Sequence, residues 1–199
     1  QARGCGMTPL GRFILRVFLW LPLCFGVWYF ATILIAVPLA LVLDLLMVQV
    51  FPDLVRMVTR DGNDLLVVLR LEALPPDPYL NVMAPAVAHS IDPVKYGYGL
   101  PLYTALVFAA PGTEHEKLGH WMLGVSILFL TQVFGVSAEI IKDLVFSLET
   151  ARQQLGSSAL GREVIALAYQ LGYLILPSLA PVGMWVVQFR RYLAELVQL

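Results

Sequence analysis

The longest apolar stretch of the chain lies near its start, from Phe13 to Phe51. Its thirty-nine residues contain only two formal charges, Arg16 and Asp44. A helix that crosses the hydrocarbon core of a bilayer needs about 20 apolar residues, so this stretch is nearly long enough for two crossings. It contains no strong turn signal, and a proline such as Pro38 kinks a membrane helix without ending it. The pattern predicts an integral membrane protein.

Two divisions of this stretch are open. The first is a single crossing that ends near residues 36–39 and continues as a helix on the outer side, with Asp44 at or beyond the interface. The second is a pair of crossings with a tight turn near Pro38, each shorter than about 20 residues. We predict the first division. It assigns residues 1–12 to a cytoplasmic leader and residues 13–51 to one transmembrane helix with an outer extension.

The polar region that follows, residues 52–95, changes from a helical to an alternating pattern. Its cluster Asp61–Asp64 reads Asp-Gly-Asn-Asp, and Gly and Asn tolerate the positive φ that tight hairpin turns require. Beyond the turn, apolar residues alternate with positions that include Arg70 and Glu72. Residues 79–90 could supply a third strand. The pattern predicts a small extracytoplasmic sheet of two or three strands that rests on the membrane helices.

The remaining part, residues 96–199, contains three further apolar segments. These segments run, in order, over about 96–110, 121–137 and 162–189. The polar stretches between them, Thr113–Gly119 and Glu149–Gly161, are predicted loops. The predicted fold class is therefore an all-α membrane protein with a small β insertion and about four transmembrane helices.

Basic residues flank these segments mainly on one side. Cytoplasmic loops of membrane proteins carry an excess of Lys and Arg. The cations that fall on the predicted inner side are Arg12, Arg16, Lys117, Arg190 and Arg191. Both termini are therefore predicted to be cytoplasmic. The net charge of −1 and the scattered cations argue against a nucleic-acid partner, since phosphate binding needs a clustered basic face.

The sequence from His115 to His120 comes closest to a catalytic motif. In the zinc motif H-E-x-x-H the two histidines are four residues apart and share a helix face. Here they are five residues apart, which turns them about 140° from each other on a helix. Cys24 has no Arg or His placed to activate it. We predict no catalytic residue, no metal and no cofactor, and a hydrolase built on these residues is the least favoured hypothesis.

Charged residues gather where two predicted helices meet the outer interface. The spacing of Glu139 and Lys142 allows them to contact each other on one helix face. The predicted contact surface for a partner consists of Arg70, Glu72, Glu139, Lys142, Asp143, Arg162 and Glu163. Two glutamines at membrane depth, Gln132 and Gln170, are expected to form hydrogen bonds between helices.

Several short motifs occur in a particular order along the chain. They are Met7-Thr8-Pro9-Leu10-Gly11-Arg12-Phe13, Leu19-Trp20-Leu21-Pro22, Tyr96-Gly97-Tyr98-Gly99-Leu100-Pro101, and Ala168-Tyr169-Gln170-Leu171-Gly172-Tyr173 with Pro177 and Ala180-Pro181. In this order they resemble the exosortase H-associated membrane proteins. The resemblance implies a place in the bacterial inner membrane beside an exosortase system, which processes and sorts proteins that bear a C-terminal membrane anchor. It supplies no active-site residue.

The leading hypothesis is a non-catalytic accessory membrane protein. Its expected partners are membrane lipid and another integral membrane protein: an exosortase, its anchored substrate or another membrane subunit. The alternative is a structural subunit of a larger bacterial membrane complex. Under the first hypothesis, crosslinking from positions such as Arg70 or Glu72 should capture a membrane partner. The second predicts stoichiometric co-purification with other subunits.

Overall fold

The computed structural model describes residues 8–70, 87–147 and 158–197. The helices in these ranges are α1 Pro9–Val50, α2 Val94–Gly97, α3 Gly99–Ala109, α4 Glu114–Ser147, α5 Ala159–Gln170, α6 Leu176–Gln188 and α7 Arg190–Val197. A π-helical turn, Leu171–Ile175, joins α5 to α6. The strands are β1 Val55–Asp61, β2 Asp64–Leu69 and β3 Val87–Ile91.

Helix α1 is continuous over 42 residues, through both Pro22 and Pro38. The Thr8 hydroxyl caps it by accepting a hydrogen bond from the Gly11 N–H at 3.1 Å. At 1.5 Å per residue the helix is about 63 Å long, twice the thickness of a hydrocarbon core. There is no turn at Pro38, so the stretch does not form a hairpin. The helix also begins at Pro9, which lies inside the expected leader.

The three strands form one antiparallel sheet in the order β1-β2-β3. The predicted hairpin turn is confirmed: Asp61 pairs with Asp64, and Gly62 between them has φ +60°. Positive φ at the first central position is the pattern of a type II′ turn, which suits the twist of a hairpin. The third strand is described over Val87–Ile91, and residues 79–86 of its predicted range lie outside the described residues.

The sheet stands beside the second half of α1. We call Pro9–Thr32 the lower half of this helix and Ile33–Val50 the upper half. The Asp44 carboxylate of the upper half accepts a hydrogen bond from the Val58 N–H of β1 at 2.7 Å. The Arg60 guanidinium donates to the Ile33 carbonyl oxygen at 3.4 Å. The hairpin tip therefore lies near the junction of the two halves, and β1 runs along the upper half.

Apolar packing is divided between two levels. The upper cluster joins the upper half of α1, the sheet and the second half of α4 through buried residues that include Leu39, Leu43, Val55, Leu65, Ile91, Val136 and Ile140. The lower cluster joins the start of α1 to α3, α4 and α6 through buried residues that include Phe13, Tyr103, Val107, Leu128, Trp185 and Phe189. Because α1 and α4 contribute to both levels, they connect the sheet to the helical base.

Helix α4 begins at Glu114, seven residues before the predicted start. The prediction of a loop over Thr113–Gly119 was wrong because a capping box starts the helix there. The Thr113 N–H and hydroxyl donate to the Glu116 carboxylate at 3.2 and 3.0 Å, and the Glu116 N–H donates back to the Thr113 hydroxyl at 3.4 Å. The sequence Thr-Glu-His-Glu carries this S/T-x-x-E signal.

The turn Leu171–Ile175 widens the helix just before Pro177. A proline removes an N–H and clashes with the carbonyl four residues earlier, so the hydrogen-bond ladder of the helix opens there. The widened turn also packs closely on α4. A Cβ added at Gly172 would lie 2.6 Å from the Gly135 Cα, so both glycines are needed for this approach.

A short helix that the sequence did not predict, α7, follows α6 after a turn at Phe189. The Tyr192 ring contacts the Phe13 ring edge-on, with their centroids 5.8 Å apart. Burial raises the pKa of Tyr192, and the nearby Arg16 and Arg12 lower it by less. The Arg190-Arg191 pair therefore begins a helix that packs at the start of α1.

In the described part of the chain, three helical segments are long and apolar enough to cross a membrane: Pro9–Val50, Glu114–Phe146 and Ala159–Gln188. Helix α3 has 11 residues and a length of about 16 Å, so it is not one of them. The structure is thus mostly helical, with a small antiparallel sheet.

Candidate functional site

A buried ion pair ties α2 to α4 at the upper level. Glu139 is only 3% exposed, and its Oε1 accepts a hydrogen bond from the Lys95 ammonium at 2.9 Å. The Asp92 carboxylate accepts from the Val94 N–H at 2.9 Å, and this contact orders the turn that presents Lys95. Gln132 adds a second link, since its side-chain amide donates to the Pro93 carbonyl at 3.1 Å. The expected role of Gln132 as a polar link is confirmed.

Aromatic rings surround this pair. The Tyr96 and Tyr173 rings are 5.8 Å apart, and Tyr169 stacks on Tyr173 at 5.7 Å. The Lys142 ammonium lies 4.1 Å from the centre of the Tyr169 ring and 2.8 Å from the Asp143 carboxylate. These residues, with Lys95 and Glu139, are called the Glu139 cluster.

The predicted contact between Glu139 and Lys142 is not formed. Glu139 turns toward Lys95, which is 44 positions away in the sequence, and Lys142 turns toward Asp143 and Tyr169. Helical spacing allowed the local pair, but the packing of α2 against α4 places the Lys95 ammonium against Glu139 instead.

Glu139 Oε2 and the Tyr96 hydroxyl are also buried in this cluster. The cluster places the Lys95 ammonium against a buried carboxylate, an arrangement suited to fixing α2 on α4.

The other predicted contact residues lie apart from the Glu139 cluster. Arg162 and Glu163 are near the start of α5, seven and six residues before Tyr169, which is about 10 Å along the helix. Arg70 is exposed just after β2, where its N–H donates to the Leu54 carbonyl at 3.0 Å. Glu72 lies outside the described residues. The structure thus brings together three of the seven residues, namely those on α4.

A second surface feature was missed from the sequence. On the upper half of α1, Leu34, Leu41 and Leu45 are 75%, 68% and 62% exposed, and Val37 between them is also exposed. They recur every three or four residues, so they lie on one face of the helix. We call these four residues the upper apolar face. The sequence could not reveal it because apolar residues occur all round α1.

At the lower level, polar contacts join helices rather than build a reactive centre. The Tyr103 hydroxyl lies 2.7 Å from Gln188 Oε1 and also reaches the His120 carbonyl oxygen. Gln188 donates to the same carbonyl at 3.2 Å. Within residues 8–70, 87–147 and 158–197, no group of His, Cys, Asp and Glu side chains could hold a metal ion.

The long apolar helices define an integral membrane protein. The chain matches the family model described as exosortase H-associated membrane protein over residues 7–192, and it belongs to that family. The resemblance drawn from its motifs is confirmed. No curated protein and no solved structure matches the chain.

Proposed function

We propose that this chain is a non-catalytic accessory subunit of the bacterial inner membrane that binds another integral membrane protein through its upper apolar face. The family description supports the context, since it names association with an exosortase. The observation that carries the proposal is the exposure of Leu34, Leu41 and Leu45 on a part of α1 that extends beyond one membrane thickness.

Polar groups at the hairpin tip support a position for the upper surface of the bilayer. The hairpin tip carries exposed Arg60, Asp61 and Asn63 and lies beside residues 28–36 of α1, which fits a membrane surface there. From Phe13 to Ile33 the helix rises about 30 Å, one hydrocarbon thickness. The lower half of α1 is then in the membrane, and the upper half stands outside it with the sheet.

A fourth crossing is provided by α2 and α3 together. Gly97 at the end of α2 lies against the Trp28 side chain, and Ala109 at the end of α3 belongs to the lower cluster with Phe13. Residues 94–109 therefore run antiparallel to the lower half of α1 over nearly its whole height. Their length of about 24 Å is short for a crossing, and contacts with α1, α4 and α6 supply the surroundings that lipid would otherwise provide.

Charges near the helix ends support one orientation. Basic residues lie at or next to the lower ends of α1, α4 and α7, and the cytoplasmic flanks of membrane helices are enriched in Lys and Arg. The lower-surface cations are Arg12, Arg16, Lys117, Arg190 and Arg191. Both described ends of the chain are then cytoplasmic, and the sheet is extracytoplasmic.

In this arrangement the upper apolar face is exposed to water unless a binding partner covers it. Contiguous exposed apolar surface outside a membrane is typical of protein–protein contact sites. The face continues downward into the lipid-facing surface of α1, where Phe30 and Val27 are exposed, so a partner that is itself a membrane protein can follow α1 across the interface. Arg70, Arg162 and Glu163 remain proposed contacts at the rim. Buried Glu139 would act only by holding α2 in place.

Photo-crosslinking tests this proposal. A benzophenone amino acid at Leu41 or Leu45 should give an adduct with another membrane protein in intact cells. Leu43, on the same helix but fully buried, is the matched control and should give none. Exposed Phe18 in the lower half is the second control, and its adducts should be mainly with lipid. Equal protein adducts at Leu43 and Leu41, or none at Leu41 and Leu45, would contradict the proposal.

A further inference from the structure

An apolar groove runs along α1 between α3 and α4. It consists of a cavity of about 270 Å³ that begins at Trp20 and a cavity of about 500 Å³ that continues to Pro38. The two cavities share Ile35 and Leu100 as lining residues. Between Trp20 and Pro38, α1 rises about 27 Å, of which about 20 Å lies below Ile33 in the membrane-crossing layer. The groove therefore extends through about two-thirds of that layer and continues just above it.

The surface that lines the groove is mainly apolar. Its Ser and Thr hydroxyls all donate to carbonyl oxygens of their own helices: Thr104 to Leu100, Ser126 to Met122 and Thr131 to Leu128, at 2.7–2.9 Å. Trp121 closes one side by donating its indole N–H to the Thr104 hydroxyl at 3.0 Å. The lining residues carry no charge, and the polar Gln132 and Tyr96 lie together at the upper end.

The size of the groove favours an acyl chain over a protein helix. A cavity of about 150 Å³ holds a benzene molecule, so the larger cavity alone has space for roughly twenty carbon atoms. A helix about 10 Å across would occupy on the order of 2,000 Å³ over 27 Å. This volume is far larger than both cavities together, whereas a fatty-acyl chain matches them in volume and in length.

A basic residue lies at the lower end of each of two groove walls, α1 and α4. Arg16 is exposed one helical turn before Trp20 on α1, and Lys117 lies one turn before Trp121 on α4. One turn is about 5 Å, so each cation lies just beyond the apolar lining. Glu114 is 3.8 Å from the Lys117 ammonium but is itself highly exposed. Two basic side chains on facing walls suit a phosphate group.

We infer that the groove binds an anionic phospholipid, with one acyl chain between α1 and α4 and the phosphate held by Arg16 and Lys117. The inference goes beyond partner binding by the upper apolar face and does not depend on it. The acyl chain would fill the space that short α3 leaves between α1 and α4.

Native mass spectrometry with dipalmitoyl phosphatidylglycerol tests the acyl-chain site. The purified full chain should retain one phosphatidylglycerol molecule after mild activation. Ala31→Trp fills the groove and should reduce this retention about tenfold. Val187→Trp, at an exposed position of α6 that does not line the groove, is the control and should bind as the unaltered chain does. Equal retention by the two variants would overturn the inference.

The phosphate site has its own test. Arg16→Gln combined with Lys117→Gln should lower phosphatidylglycerol retention about tenfold and leave unchanged the retention of dipalmitoylglycerol, which has the same acyl chains but no phosphate. An equal fall for both lipids would contradict the assignment of the phosphate to these residues. If Ala31→Trp abolished recovery of a membrane protein partner while lipid retention persisted, the groove would hold a partner helix and the inference would be wrong.

Discussion

Replacing Lys95 by Met should lower the midpoint of thermal unfolding by about 5–10 °C. The substitution keeps much of the apolar stem but leaves the Glu139 carboxylate buried without its cation. Breaking a fully buried pair costs about 3–5 kcal/mol, and we expect about 2–3 kcal/mol here because Lys95 keeps a third of its side chain exposed. Circular dichroism of the protein in mild detergent measures the shift.

A double-mutant cycle separates the ion pair from general packing. Adding Glu139→Gln to Lys95→Met removes the uncompensated charge, so the double variant should be more stable than Lys95→Met alone. Arg56→Met, at an exposed cation of β1, is the control and should unfold within a degree or two of the unaltered chain. If Lys95→Met were equally harmless, the pair would not hold α2 on α4.

Replacing Gly124 by Ala should destabilise the lower level by about 1–3 kcal/mol, which lowers the midpoint of thermal unfolding by roughly 2–12 °C. A Cβ at Gly124 would lie 2.1 Å from ring and hydroxyl atoms of Tyr103, which is fully buried. Movement of that ring would also disturb its contacts with Gln188 and the His120 carbonyl. We expect the loss to appear in the same thermal unfolding measurement.

Gly119 provides the matched control on the same helix. A Cβ at this position meets no atom within 4 Å, so Gly119→Ala should be neutral or slightly stabilising because alanine favours the helix. A loss of stability at Gly119 as large as at Gly124 would mean that Tyr103 does not limit the approach of α3 to α4.

Local patterns in the sequence predicted several elements correctly. The run from Phe13 to Phe51 predicted one long helix, and Asp61–Asp64 predicted the hairpin turn. Both depend on neighbouring residues alone. The start of α4 also carried a local signal, the capping box from Thr113 to Glu116. The prediction of a loop over Thr113–Gly119 did not use this signal.

Features that depend on distant contacts could not be predicted in this way. Lys95 and Glu139 are 44 positions apart, and only the packing of α2 on α4 brings them together. The upper apolar face is defined by what the sheet leaves uncovered, and α1 looks the same on all sides in sequence. The charge of Asp44 indicated that this position of the apolar run differs from its neighbours. Its hydrogen bond with the Val58 N–H could not be predicted, because that contact depends on where the sheet packs.

Co-isolation of a membrane partner tests the proposed function most directly. The protein would be purified gently from native membranes as the unaltered chain, as Leu41→Asn combined with Leu45→Asn, and as Arg56→Met. Both leucines are exposed, so their replacement should leave the fold intact, which the unfolding midpoint checks. The proposal predicts that an exosortase-system membrane protein is recovered with the unaltered chain and with Arg56→Met, and is lost with the double variant. Equal recovery with all three proteins, or no partner with the unaltered chain, would contradict it.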